Sequence, residues 1–598
     1  IKIGNYLIIL AAIMVSAVVI ASLFRNVNPL VIMQFALVLV VASIPVALPA
    51  VLTVTMAVGA IVLAKKEAIV SKLVSIEEMA GVDVLCSDKT GTITKNELTI
   101  AEAKAFEKFE IDDALLYGTL ASREENHDPI DDAVITKARS VKAVADALGR
   151  YNVVDFKPFD PVLKRTEATV ESHDGGHFQV AKGAPQVVLS LVSNKTEIED
   201  RVNEIVNNFA KKGHRALGVV KRDEEGNWQF VGLLAIYDPP RDDSAETIKT
   251  AQKMGINVKM VTGDHIAIAK QIAREVNLGT NIIPASDFMD KPDSEAKDII
   301  ENADGFAQVF PEHKYRIVEL LQGKGHIVGM TGDGVNDAPA LKKADAGVAV
   351  DGATDAAKSA ADVVLTRPGL SVIIDAIKES RKIFERMTNY AVYRIAETSR
   401  VLIFISLAIL VFNFYPVTAV MIVILALLND IPIMTIAYDN VRVQEKPVRW
   451  NMRGVLIVAS LLGATGVVSS FGLLIIGLYV FHLSVGTLQT LIFLKMAVAG
   501  HLTIYLARTG VHHFWKRPLP ASILFAATEG TQIIGTLFAV FGVFMTPIGW
   551  GFAAFIWGYA LLSFLITDQL KIHFFRLMGH EEALSDITAH VYSPAPML

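Results

Sequence analysis

The stretch VLCSDKTGTIT, residues 84–94, decides how the chain is read. An apolar, β-branched run (Val82, Val84 and Leu85) leads into Asp88-Lys89-Thr90-Gly91-Thr92, a carboxylate at a strand end followed by a turn of small residues. Strand ends in an open parallel sheet present their side chains to the ligand crevice, so Asp88 is placed to act as a nucleophile. Gly91 permits close approach of backbone to a phosphate, and the hydroxyls of Thr90 and Thr92 can donate to its oxygens. Cys86, the single cysteine, reads as a small core residue of the same strand and excludes an intrachain disulfide.

Outward from this stretch the composition divides the chain. With 598 residues it is long enough for several domains. Its hydrophobic share of 52% is too high for an ordinary soluble protein and sits in two blocks at the ends of the chain. A net charge of −6 over this length argues against a nucleic-acid surface. The chain opens on Ile1, with no cleavable signal pattern, and its true N-terminus is expected to lie upstream.

Residues 7–24 form an uncharged run of spanning length. A second uncharged stretch, 26–64, carries Pro45-Val46-Ala47-Leu48-Pro49 near its middle. Pro45 and Pro49 remove backbone donors and break the helix inside the membrane, which is tolerated where freed carbonyls line a cavity and is typical of ion paths. Six further spans are expected near 390–411, 416–437, 454–481, 488–507, 521–545 and 549–567, giving eight. Lys65, Lys66 and Lys72 follow the second span. Arg442, Lys446, Arg449 and Arg453 lie in one later loop, and Lys516 and Arg517 in another. The opposite connections, 413–416, 482–486 and 546–550, hold no Lys or Arg. The positive-inside rule therefore places the soluble region and the short C-terminal tail on the cytoplasmic side of a multi-pass cell-membrane protein.

The soluble region alternates strand-like runs (82–86, 258–262, 327–331, 346–350, 362–365) with amphipathic helices such as 245–254 and 266–276, a doubly wound α/β pattern. Between about 103 and 227 polar helices mix with β-rich pieces, which reads as a second domain inserted into the first. In the insert, Phe159 with Lys164 and Arg165, the turn Lys182-Gly183-Ala184-Pro185, and Arg215 offer an aromatic face and cations suited to adenine and its phosphate tail. No GxxxxGK[ST] loop occurs, so a Walker-type nucleotide site is excluded. Thr262-Gly263-Asp264 follows a strand and opens a helix, where a hydroxyl and N–H groups can meet phosphate oxygens. Lys314 is a cation for the same phosphate. Asp333 and Asp337, in Gly332-Asp333-Gly334-Val335-Asn336-Asp337, form an acidic pair of the kind Mg²⁺ takes.

DKTGTIT, KGAP, DPPR (238–241), TGD and GDGVND in this order resemble the cytoplasmic core of the P-type ATPases. The resemblance implies a multidomain membrane protein. It joins an α-helical transmembrane bundle to a haloacid-dehalogenase-like α/β phosphorylation domain (65–102 and 231–386) and an inserted α+β nucleotide-binding domain (103–230). Residues 1–64 would be the family's third and fourth helices, 387–570 its fifth to tenth, and 571–598 a short tail. It further implies that Asp88 accepts the γ-phosphoryl group of ATP and that Asp88, Thr90 and Asp333 bind Mg²⁺. Thr90, Thr262 and Lys314 would hold the phosphate, with Asn336 and Asp337 supporting the loop and Lys89, Gly263 and Asp264 completing the catalytic set. Phe159, Lys164, Lys182, Gly183 and Arg215 would hold ATP. No TGES string occurs, so the family's actuator segment and first two helices are expected to be missing from this chain.

For the cargo, intramembrane ionisable residues are the guide. Asp430 lies in Leu427-Leu428-Asn429-Asp430-Ile431-Pro432, with Pro432 expected to interrupt the helix. Arg400, with Glu397 one turn away, lies on the preceding span and is expected to act on Asp430, unless Glu397 holds the arginine away from it. Lys495, His501 and Glu529 read as a structural polar network. PVALP and LNDIPIMTI resemble the plasma-membrane proton pumps of the family. Calcium and sodium–potassium pumps carry a glutamate where this chain has Val46 or Ala47. The implied function is ATP-driven proton export (EC 7.1.2.1), with Asp430, Arg400, Asn429, Pro45 and Pro49 on the ion path. A pump for K⁺, Na⁺ or Mg²⁺, and a non-transporting membrane-bound aspartyl phosphatase, are the alternatives.

Overall fold

The computed structural model describes residues 2–25, 29–43, 47–106, 108–126, 128–223 and 226–577. The chain forms two compact units, Val82–Ile374 and the residues on either side of it.

In the Val82–Ile374 unit, strand Val84–Asp88 is central. It pairs in parallel with Val328–Gly332 on one side and Asn257–Val261 on the other. Across this unit the strands run Val363–Leu365, Ala346–Ala349, Val328–Gly332, Val84–Asp88, Asn257–Val261, Gly305–Ala307 and Ile282–Pro284, all parallel. Their residues are almost continuously buried, as strands covered by helices on both faces must be. Ser244–Lys253 and Ile266–Glu275 supply two of those helices, burying Ile248 and Ala251 from one and Ile268 and Ile272 from the other. The five expected strands are present to within two residues. Gly305–Ala307 and Ile282–Pro284, of three residues each, are too short for sequence periodicity to show.

The insert is a six-stranded antiparallel sheet in the order Thr99–Ala105, Trp228–Tyr237, Arg215–Arg222, His177–Gly183, Arg165–Ser172 and Tyr151–Asp160. The strands that enter and leave the insert pair with each other. Its sheet therefore takes in residues on both sides of the 103–230 limits read from composition. One face packs on Ile111–Leu120 and Pro129–Ser140 through Leu115, Val134, Val170 and Leu234. The other packs on Lys195–Lys211 through Val202, Phe209 and Phe230.

Among the described residues, seven helices are long and apolar enough to cross a membrane: Gly4–Phe24, Leu370–Phe412, Ala419–Tyr438, Met452–Val480, Val485–Ala507, Ser522–Phe541 and Gly549–Leu577. The expected second span carries two shorter helices, Pro29–Ser43 and Ala47–Lys65. Pro49 falls in the first turn of the latter, where backbone N–H groups have no intrahelical partner and proline costs little. Pro45 lies outside the described residues. The last helix runs on to Leu577, past residue 571 where the tail was expected to begin.

Candidate active site

Three neighbouring parallel strands end at one edge of the sheet, and their ends carry the chemistry. Asp88 is the last residue of its strand, Thr262 directly follows the second, and Asp333 directly follows the third. The Asp88 N–H donates to Thr331 Oγ1 at 2.9 Å, which ties the first strand end to the third. After Asp88 the chain turns sharply: Thr90 has φ −73°, ψ 131° and Gly91 φ 73°, ψ −17°. This is type II turn geometry, in which the third residue needs positive φ and glycine fits without strain. Nothing lies within 4 Å of where a Gly91 Cβ would stand, so the turn faces open space.

Asp88, Asp333 and Asp337 each offer a carboxylate oxygen, all within 4.8 Å of one another. Lys314 Nζ donates to Asp88 Oδ2 and to Asp337 Oδ1, both at 2.7 Å. Burial raises the Asp88 pKa and the Asp337 and Asp333 charges add to the rise, with Lys314 opposing it. Burial and Asp337 likewise raise Asp333. Burial works against the Lys314 ammonium, but Asp88 and Asp337 outweigh it and its pKa rises. Asp337 Oδ2 accepts the N–H groups of Asp333 and Gly334 at 3.1 Å, so Asp337 organises the loop. A Cβ on Gly332 would meet the Asp337 side chain at 2.4 Å, and this close approach requires glycine. Asn336, expected to share that work, is exposed and makes no side-chain hydrogen bond among the described residues.

Lys89 turns inward. Its Nζ lies 3.0 Å from Asp264 and 3.5 Å from Asp238 and is buried. Arg215, from the insert, also pairs with Asp264. Burial alone would raise the Asp264 pKa, but Lys89 and Arg215 hold it below the usual carboxylate range. Lys89 and Asp264 thus lock two loops together. Thr262 Oγ1 accepts the Asp264 N–H at 3.2 Å, and Gly263 lies between them.

Two residues missed by sequence reasoning complete the clamp. Asp238 accepts from Thr94 Oγ1 at 2.6 Å and from the Asn96 N–H at 2.9 Å. Arg241 Nη2 donates to the Gly91 carbonyl at 3.1 Å. DPPR was visible as a motif, but its attachment to the Asp88 loop is a tertiary fact.

In the insert, Phe159 is 56% exposed and Lys164 is exposed beside it, in a left-handed backbone conformation with φ 49°. Gly183 passes so close to the neighbouring strand that a Cβ would meet the Lys164 carbonyl oxygen at 2.5 Å. Lys182 departs from expectation. It is buried and donates to the Ala121 carbonyl at 3.0 Å, to Ser122 Oγ at 2.6 Å and to Asp131. Burial lowers its pKa, with Asp131 opposing. Lys182→Ala strands a buried carboxylate at a cost of about 3–5 kcal/mol, so the thermal midpoint of the protein falls. Lys182→Met with Asp131→Leu recovers it. A Lys182→Ala protein that melts normally but binds ATP weakly contradicts this assignment.

In the membrane unit, Arg400 is drawn away from Asp430. Its Nη2 donates to Glu397 Oε1 at 2.6 Å and to the Met496 carbonyl at 3.0 Å, and its stem fills the space above Gly466. The arginine whose charge acts on Asp430 is Arg394, about one and two-thirds turns before Arg400 on the same helix. Asp430 lies on the exposed face of Ala419–Thr435, with Val423, Leu427 and Ile431. Asn429 is buried and its Oδ1 has no hydrogen-bond partner among the described residues. Pro432 does not end the helix, which continues to Thr435. Proline leaves the Leu428 carbonyl without its intrahelical donor, and His501 Nε2 lies 3.2 Å from that oxygen. Lys495 is held by Gly466 and Ser470, and Glu529 by Tyr505.

A family description of haloacid dehalogenase-like hydrolases matches residues 82–345, and another so described matches 316–377. A Methanocaldococcus jannaschii protein named as a cation-transporting ATPase is 52% identical over 96% of this chain and 71% of its own length. The plasma membrane ATPase of Kluyveromyces lactis is 43% identical over 90% of this chain and 61% of its own. Plasma membrane ATPase 1 of Saccharomyces cerevisiae is 43% identical over 90% and 60%. The chain thus spans three fifths to seven tenths of the length of these relatives.

Proposed function

The chain belongs to the P-type ATPases, and we propose that it exports protons at the expense of ATP through a phosphorylated Asp88 (EC 7.1.2.1). The observation that carries the reading is the meeting of Asp88, Lys314, Asp333 and Asp337 at the carboxyl ends of adjacent strands. The ionised Asp88 carboxylate attacks the γ-phosphorus of ATP. The bond from that phosphorus to the β,γ-bridging oxygen breaks, ADP departs, and an acyl phosphate remains on Asp88. Lys314 favours the anionic nucleophile against the effect of burial and can donate to the oxygens of the arriving phosphoryl group. The Thr90 hydroxyl and the Gly263 N–H, just past the ends of two paired strands, would serve the same phosphate, while the Thr262 N–H is already given to the Phe306 carbonyl at 3.0 Å. The convergent hard oxygens fit Mg²⁺, which Asp88 and Asp333 would hold, and which supplies neutralisation of phosphate charge when bound. Phe159, Lys164 and Gly183 form the nucleotide rim of the insert, with Lys182 as its floor. Arg215 stands between that rim and the phosphorylation loops.

The proton reading rests on what the path lacks and what it keeps. Residues 26–64 hold no charged side chain, so this stretch offers no carboxylate ligand to a metal ion. Asp430, with the Arg394 charge acting on it and Asn429 beside it, is the carboxylate of the helix Ala419–Thr435. In sealed vesicles ATP is expected to drive acidification of the lumen, followed by dye quenching, and to do so equally when K⁺ and Na⁺ are replaced by choline. ATP hydrolysis that requires K⁺ or Na⁺, with no acidification, overturns the proton assignment and leaves the ATPase standing.

A further inference from the structure

A cavity of about 270 Å³ lies where the loop after the helix Val485–Ala507 meets the end of Gly549–Leu577. His512, His513, Trp515, Lys516, Phe575 and Arg576 line it, and no carboxylate does among the described residues. The Lys516 and Arg576 side chains are exposed. Arg442 adds a third cation behind the wall, 3.0 Å from the His512 ring. Asp568, the nearest buried acid, already faces Lys571 at 3.2 Å and His513 at 2.7 Å, so it does not cancel the charge of the mouth. Trp515 stacks flat on His513, with ring centroids 4.3 Å apart, and is 53% exposed.

The depth of the cavity says what chemistry meets it. The final helix has 29 residues and is about 43 Å long, whereas a hydrocarbon core of about 30 Å needs about 20. Counted from the Lys- and Arg-free connection at residues 546–550, its last two turns stand in the headgroup layer on the positively charged side. A tryptophan at that level, cations at the mouth and the apolar wall of Ile572 and Phe575 suit a phosphodiester with glycerol and the first methylenes below it.

We infer that this cavity binds the headgroup of an anionic glycerophospholipid. The detergent-purified protein is titrated with fluorescently labelled phosphatidylglycerol, and unlabelled phosphatidylglycerol, phosphatidylcholine and inorganic phosphate compete. Phosphatidylglycerol is expected to compete at least about tenfold better than phosphatidylcholine, and inorganic phosphate not at all. Lys516→Gln with Arg576→Gln is expected to erase that preference while leaving the melting temperature and ATP hydrolysis in neutral detergent unchanged, since neither residue touches the phosphorylation site. An unchanged preference in the double variant overturns the proposal. Equal competition by inorganic phosphate also overturns it, in favour of a soluble-anion site. Binding that appears only after residues 578–598 are removed overturns it too, by making the cavity the seat of the acidic C-terminal segment.

Discussion

Asp88→Asn leaves no acid-stable phosphoenzyme on mixing with Mg·ATP, and steady-state hydrolysis drops by a factor on the order of 10⁴ or more. The amide has the shape of the carboxylate but no charge, and its nitrogen and oxygen cannot displace ADP from phosphorus. The fold tolerates the change for identifiable reasons. The Asp88 tie to Thr331 runs through its backbone N–H, and Lys314 keeps Asp337 at 2.7 Å. Two raised carboxylate pKa values beside one ammonium also mean that losing one charge relieves repulsion with Asp333 and Asp337. Melting at or above the wild-type temperature, alongside complete loss of phosphorylation, is the expected pair of results. Normal phosphoenzyme in the variant would end the aspartyl-phosphate account.

Asp430→Asn separates chemistry from transport. Phosphorylation of Asp88 from ATP persists, because Asp430 lies in the other unit of the chain. Vesicle acidification falls to the passive leak, because an amide of the same size cannot take up and release a proton. Arg394→Ala is the companion change: it removes the cation acting on Asp430 and is expected to shift the pH dependence of pumping. Arg400→Ala is expected to act differently, by leaving Glu397 without its partner at 2.6 Å and weakening the packing between helices. Acidification at the wild-type rate in Asp430→Asn would move the proton site elsewhere.

The parts of the site that sequence made legible are those with local spacing. DKTGT, TGD and GDGVND each place their functional residues within a few positions of a strand end, and the doubly wound pattern then brings those ends together. What required three dimensions was partnership across the chain. Lys89 is placed in the catalytic set by its motif, yet its partners Asp264 and Asp238 arrive from other loops. Lys182 sits on a motif turn, but whether its ammonium faces solvent depends on Asp131, 51 positions away. Arg394 and Arg400 share one helix and differ by about 240° in direction, and only the packing of neighbouring helices selects which one acts on Asp430. Pro432 is a helix breaker by local rules, and the helix survives it with the freed carbonyl facing His501 from a later span. The insert's entry and exit strands were hidden because each is continuous in composition with the segment outside it.

The central claim, that γ-phosphate passes from ATP to Asp88, is tested most directly by trapping the intermediate. The protein is mixed with radiolabelled ATP and Mg²⁺, quenched in acid within milliseconds, and reduced with borohydride, which converts an aspartyl phosphate to homoserine. Mass spectrometry of the peptide spanning residues 84–94 is expected to show homoserine in place of Asp88 in proportion to the radiolabel incorporated. Label that survives hydroxylamine, or reduction at any position other than residue 88, would contradict the account.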